Sequence, residues 1–112
     1  MKPEMSGGPP PIEIAPRDWN DVLRILHERV PCMEVWAFGS RARRSAKPYS
    51  DLDLALITSE PLSLEQLAGI TEAFETSDLP IRVDVVDWAS TSDAFRKIIE
   101  RNRVVVQKAA GT

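Results

Sequence analysis

Apolar residues recur at three- and four-residue steps near the start of the chain: Trp19, Val22, Leu23, Leu26 and Val30. That period gathers them on one face of a helix over residues 16–30. Pro16 suits a first helical position and Pro31 stops the helix. The pattern then changes. Val35, Trp36, Ala37 and Phe38 form a short apolar, aromatic run that reads as a strand over Glu34–Phe38, broken by Gly39-Ser40. From Asp51 to Thr58 the alternation has period two. Leu52, Leu54 and Leu56 share one face, and Asp51, Asp53 and Ala55 share the other.

A second helix starts after Pro61. Ser63 and Gln66 have the spacing of a capping box, Leu64, Leu67, Ile70, Thr71 and Phe74 form the inner face, and Asp78 to Pro80 ends the helix. A third strand follows over residues 81–87, with Asp84 between Val83 and Val85. Ser90, Thr91 and Ser92 are capping candidates for a last helix with Asp93 in its first turn and Phe95, Ile98 and Ile99 inside. Val104-Val105-Val106 is read as a closing strand rather than a helix end because it is β-branched. The order helix, strand, strand, helix, strand, helix, strand predicts an α+β (α/β) domain. It consists of a small mixed sheet of about four strands with helices packed on it.

Residues 1–14 hold Pro3, Pro9, Pro10, Pro11, Gly7 and Gly8, the composition of a mobile tail, with Ile12 and Ile14 placed to pack at its end. The domain is then expected over residues 15–112. A chain of 112 residues with 43% apolar residues fits one domain with a small core. No apolar run approaches the roughly 20 residues that span a bilayer, and Lys2 is not followed by an apolar signal segment. Cys32 is the only cysteine, so no intrachain disulfide forms, and a reducing, cytoplasmic setting is expected. The net charge of −3 argues against a broad nucleic-acid-binding face. His27 is the only histidine and lies off the apolar stripe, which leaves little material for a histidine metal site or a Ser–His triad.

The candidate chemistry lies between the first two strands. Side chains two apart on a strand point the same way, with Cα atoms about 6.5 Å apart. Two such carboxylates repel unless a cation sits between them, and Mg²⁺, which takes hard oxygen ligands and shares them with phosphates, suits Asp51 and Asp53. The alternative for that pair is a solvated polar edge. Asp84 shifts the balance, because aspartate is depleted in strands. On a neighbouring strand it faces the same side, and three carboxylates there fit a two-metal phosphoryl-transfer site. Asp87 falls on the opposite face. Gly39 permits a positive φ and close approach to a phosphate. Successive amides around Ser40 form an anion nest, and Arg41, Arg43 and Arg44 offer forked donors. Taken singly, the alternatives are an ordinary turn and a solvated basic loop. Residues 41 to about 45 read as either a short helix or a loop.

Gly39-Ser40, ten residues, then Asp51-x-Asp53 resembles the signature of the DNA polymerase beta-like nucleotidyltransferases. The longer run, Phe38-Gly39-Ser40-Arg41-Ala42-Arg43 with Ser50-Asp51-Leu52-Asp53-Leu54, is similar to the minimal nucleotidyltransferases, the MNT partners of HEPN toxins. Asp84 stands where that family carries its third carboxylate, and Arg44 departs from the glycine often found there. The resemblance covers about Val35 to Val106. It implies a nucleotidyltransferase fold, with ATP as substrate and two Mg²⁺ ions as cofactors. By that resemblance, Asp51 and Asp53 would hold the ions that bridge the ATP phosphates. Asp84 completes the second and helps activate an incoming hydroxyl. Gly39 and Ser40 hold the triphosphate with Arg41 or Arg43.

The implied reaction is AMP transfer to a tyrosine of a HEPN ribonuclease toxin, by an antitoxin too small to bind an acceptor without that partner. A non-catalytic antitoxin that masks the toxin is the alternative. A small-molecule, aminoglycoside-type enzyme ranks below both, because it usually needs an added substrate domain. Direct nucleic-acid binding through the Arg41–Lys47 segment ranks lower still.

Overall fold

The structure is a computed structural model that describes residues 9–109. The elements are α1 (Pro16–Arg29), β1 (Glu34–Phe38), β2 (Leu52–Ile57), α2 (Leu64–Glu75), β3 (Val83–Asp87), α3 (Asp93–Asn102) and β4 (Val104–Gln107), with a short 3-10 turn at Trp88–Ser90. This is the expected order. The second and third strands are each shorter than their patterns suggested, because Asp51, Ile81 and Arg82 lie outside the ladder.

One mixed sheet carries the strands in the order β3-β2-β1-β4. β1 pairs antiparallel with both β2 and β4, while β2 and β3 run parallel. The two-residue period sorts side chains onto the two faces. Leu52, Leu54 and Leu56 join Val35, Ala37 and Val83 under α1 and α2, where Trp19, Val22, Ile25, Leu26, Ile70 and Phe74 meet them. Trp36, Phe38 and Ala55 face the other way, onto Ile99 of α3. One face thus has two helices over it and the other a single short helix. Each fully buried leucine contributes roughly 1.5–3 kcal/mol, so the leucine face dominates the core. Among the described residues no helix is long and apolar enough to cross a membrane.

Helix ends follow the local chemistry. Ser63 accepts from the Gln66 amide and Gln66 returns a bond to the Ser63 amide, completing the expected capping box. Ser92, among the three capping candidates, caps α3 by accepting from the Phe95 amide. His27 and Cys32 are exposed. Asp87 is buried on the leucine face. It accepts from the Leu62 amide at 2.7 Å and from the Thr58 hydroxyl. Burial pushes its carboxyl upward, but the bonds from Thr58, Leu62, Ser90 and Ala89 outweigh burial and hold it below the usual value. It is a structural anchor, consistent with its exclusion from the site.

Three expectations about packing are corrected. Leu64 is 86% exposed; it opens α2 on the outer side, and Leu62 packs against the core instead. In α3 only Ile99 is buried, while Phe95 and Ile98 are 36% and 52% exposed. One helix lying on the edge of a sheet face buries a single row of side chains. The boundary at residue 14 also moves. Residues 1–8 of the expected tail lie outside the described residues, but Pro10 and Ile12 are buried, Ile12 to 1% exposure. The Glu13 amide donates to the Arg41 carbonyl at 2.8 Å, and the Ala46 amide donates to Glu13 Oε1 at 3.0 Å. Residues 10–14 therefore belong to the domain.

Ile12→Ala should lower unfolding free energy by about 2–5 kcal/mol in a denaturant titration, the usual range for truncating a buried isoleucine. An unchanged midpoint would show that the segment is not docked.

Candidate active site

Parallel pairing of β2 with β3 sets Asp53 directly beside Asp84. Cross-strand neighbours in a sheet lie about 4.8 Å apart and project to the same face. On the other side of Asp53, β1 places Phe38 opposite it. Asp51, two residues before Asp53, lies just ahead of β2. Asp53 and Asp84 thus share one end of the sheet, on the face that only α3 covers, and Asp51 lies near enough for its charge to act on Asp53. Among the described residues, no group of three histidine, cysteine or acidic side chains is placed to hold a metal ion. Asp84 is turned to Arg82, with which it forms an ion pair at 3.3 Å. Both partners are largely open to solvent, Arg82 at 74% and Asp84 at 42%, so the pair costs little to break.

The electrostatics show what this end of the sheet lacks. Burial raises the Asp53 carboxyl above the usual carboxylate value, and the negative charges of Asp84 and Asp51 raise it further, with Arg43 opposing. A divalent cation would reverse the sign of that local field. The all-oxygen, all-carboxylate donor set suits Mg²⁺. By donor chemistry, though not by a formed three-carboxylate cluster, these residues fit a divalent, oxygen-preferring ion.

Gly39 makes the approach possible. Its φ is +78°, in the left-handed region. A Cβ placed there would overlap Asp53 Oδ2 and stand 3.3 Å from Cγ. The chain then coils once. The Arg43 amide donates to the Gly39 carbonyl at 3.1 Å and the Ser45 amide to the Ser40 carbonyl at 2.9 Å. The amides of Ser40, Arg41 and Ala42 find no backbone acceptor among the described residues, which leaves a row of donors suited to an anion. Arg44 closes the coil with φ 59°. This is a left-handed position that glycine fills without steric cost, and here it is held by a bond from the Arg44 guanidinium to the Pro10 carbonyl at 2.9 Å. The departure from glycine leaves the left-handed turn in place.

The arginines divide. Arg43 is exposed and lines the cleft with Phe38, Gly39, Asp53 and Asp84. Arg41, expected at the triphosphate, is not brought there. It is buried to 6% exposure and its guanidinium donates to the carbonyls of Glu13 at 2.7 Å, Ser50 at 2.9 Å and Pro48 at 3.2 Å. Its donors tie the end segment, the loop and the start of β2 together. A sequence spacing cannot tell an inward arginine from an outward one. The signal available was the long loop, whose carbonyls needed an internal donor.

The cleft has a volume of about 480 Å³ and extends from these residues along α3 to Phe95, Ile98 and Asn102. The α3 wall was missed by sequence reasoning, which assigned Phe95 and Ile98 to the core. A larger groove of about 860 Å³ lies at the other end of the sheet, around Pro31, Met33, Thr58 and Gly69. Neither the Gly-Ser turn nor any of the three aspartates reaches it.

A glycine turn abutting an acidic strand pair, on a mixed sheet with an antiparallel first hairpin, defines a nucleotidyltransferase-type site. Residues 20–110 match the polymerase beta nucleotidyltransferase family, and the chain belongs to that family. Members generally use a nucleoside triphosphate and a divalent metal. The chain is 53% identical over 91 residues to the probable protein adenylyltransferase MntA of Haemophilus influenzae, covering 81% of this chain and 80% of that one. It is 31% identical over 84 residues to the putative protein adenylyltransferase MJ1217 of Methanocaldococcus jannaschii, covering 74% and 85%.

Among solved structures, a toxin–antitoxin crystal structure with AMP-PNP shares the fold at TM-score 0.69 and 19% identity, covering 82% of this chain and 74% of that one. The tri-AMPylated HEPN toxin of Shewanella oneidensis in complex with its MNT antitoxin matches at TM-score 0.56 and 18% identity, covering 82% and 71%.

Gly39→Ala should abolish nucleotidyl transfer while costing about 1–2 kcal/mol of stability from the left-handed backbone alone. Both are read by an AMP-transfer assay beside a denaturant titration. The raised Asp53 carboxyl gives a second expectation. The folded chain binds this proton more tightly than the unfolded chain does. Ionised Asp53 therefore destabilises the metal-free protein at neutral pH, and that penalty fades as pH falls through the folded value. Asp53→Asn should raise the metal-free melting temperature at neutral pH, and the gain should shrink toward about pH 4, near the ordinary carboxylate range.

Proposed function

We propose that this chain is an Mg²⁺-dependent adenylyltransferase that moves AMP from ATP to a tyrosine hydroxyl of a HEPN ribonuclease, acting as that toxin's antitoxin in the cytoplasm. The observation that carries the reading is the Asp53–Asp84 register beside Gly39. The 53% identity to a probable protein adenylyltransferase supports it, as does the fold shared with antitoxins solved in toxin complexes.

Each residue has a distinct part. The free amides after Gly39 and the exposed Arg43 hold the triphosphate in line with the acceptor. Asp51, Asp53 and Asp84 would hold the divalent metal. When bound, Mg²⁺ would supply charge neutralisation at the phosphates during in-line displacement. The acceptor oxygen forms a bond to the α-phosphorus and the bond from that phosphorus to the pyrophosphate oxygen breaks. The Asp84 carboxylate, paired with Arg82 across a solvent-accessible 3.3 Å contact, would take the hydroxyl proton once that pair opens. Arg41 stays out of the chemistry and fixes the loop that carries it.

Incubating the chain with ATP, Mg²⁺ and its toxin should add AMP to the toxin, read by intact mass, and Asp53→Ala should reduce the rate by at least about 10³-fold, the scale of losing a principal charge-stabilising group. A toxin that gains no mass, yet is neutralised equally well by an Asp51→Ala/Asp53→Ala variant, would establish masking instead.

A further inference from the structure

α3 presents a row of side chains to the cleft that the packing of the fold does not use. Phe95, Ile98 and Asn102 follow one another at steps of three and four, so they form one stripe of the helix. Ile99, beside that stripe, is the residue of α3 buried in the sheet. Phe95 and Ile98 stay 36% and 52% exposed although both are large and apolar. Phe95 is held edge-on to Phe38, with ring centroids 5.7 Å apart and planes at 83°. Both rings line the same cleft as Asp53 and Asp84. The cleft is therefore charged at one end and apolar at the other, with one neutral amide, Asn102, in its α3 wall.

We propose that the α3 end of this cleft is the base subsite for a nucleoside triphosphate, with Phe95 and Ile98 as its apolar wall and Asn102 as the residue that reads the edge of adenine. The proposal rests on the nucleotidyl-transfer reading and adds to it where the base lies and what selects it. A nucleotide has the same polarity as the cleft, a polyanion joined through a sugar to a flat, weakly hydrated ring. A base stacks favourably on an aromatic side chain, whichever base it is. An asparagine amide offers one donor and one acceptor, which match N7 and the N6 amino group of adenine. Guanine presents two acceptors on that edge, so one half of the amide is left facing a like group. The cleft volume of about 480 Å³ lies in the ordinary range for small-molecule sites.

Calorimetric titration of the full chain with Mg²⁺ and a non-hydrolysable ATP analogue, the corresponding GTP analogue, or inorganic tripolyphosphate tests the subsite. Phe95→Ala should weaken the ATP analogue about tenfold, the scale of one lost base stack, and leave tripolyphosphate unchanged. Asn102→Ala lies at an exposed helix end and spares the core. It should reduce the preference for the ATP over the GTP analogue about tenfold or more, the scale of one lost bidentate base contact. The subsite is overturned if both variants bind the ATP analogue as the wild type does. It is equally overturned if they lose the analogue and tripolyphosphate in proportion, or if the wild type holds tripolyphosphate as tightly as the analogue. A wild type that binds none of the three would overturn the nucleotidyl-transfer reading itself.

Discussion

The structure turns on one unfavourable contact, the side-by-side placement of Asp53 and Asp84 on parallel strands. Two carboxylates on adjacent strands repel, and partial burial of Asp53 worsens the repulsion. Sheet register enforces it nonetheless, because slipping β2 by one residue would turn its leucines out of the core. The leucine face of β2 is fully buried, so the hydrophobic effect holds the acidic pair in place from the opposite side of the sheet. Folding energy gathered on one face is stored as electrostatic strain on the other. A divalent cation with a polyphosphate would relieve that strain.

The remaining parts make room for this pair. Gly39 lets the backbone pass against Asp53 where any side chain would collide. Arg41, buried and bonded to three carbonyls, holds the loop between β1 and β2 against residues 10–14. α3 lies over the same sheet face and buries only Ile99, which leaves the cleft open beside the carboxylates. The thick core on one face and the thin cover on the other thus have separate tasks, stability and access.

Much of this was legible in the sequence because it depends on short-range period and turn chemistry. The alternation through Asp51–Leu56 placed Leu52, Leu54 and Leu56 opposite Asp51 and Asp53, and the spacing Ser63 to Gln66 gave the cap. What was not legible depends on tertiary contacts. Arg41 and Arg43 differ by two positions in a basic run, yet one is buried and the other exposed. Only the location of unpaired loop carbonyls decides between them. The packing of Ile12 and Ile14 was expected, but the hydrogen bonds that tie residues 10–14 to the loop, at Glu13 and Pro10, depend on tertiary contacts. Phe95 and Ile98 carry a helical apolar period that does not reveal whether its partner is a sheet or a cleft. The parallel pairing of β2 and β3, which brings Asp84 to Asp53, was conditional on strand order, and a one-dimensional pattern does not contain strand order.

On the reading proposed above, the carboxylates of Asp51, Asp53 and Asp84 form a divalent-cation site that a nucleotide completes. Mn²⁺ can replace Mg²⁺ as an ion visible to electron paramagnetic resonance. Titrating Mn²⁺ into the full chain with a non-hydrolysable ATP analogue, beside an Asp51→Asn/Asp53→Asn variant of the same fold, measures the claim directly. The wild type should remove Mn²⁺ from solution beyond what the analogue alone holds, and the variant should not. Equal Mn²⁺ binding by the two proteins would contradict that reading.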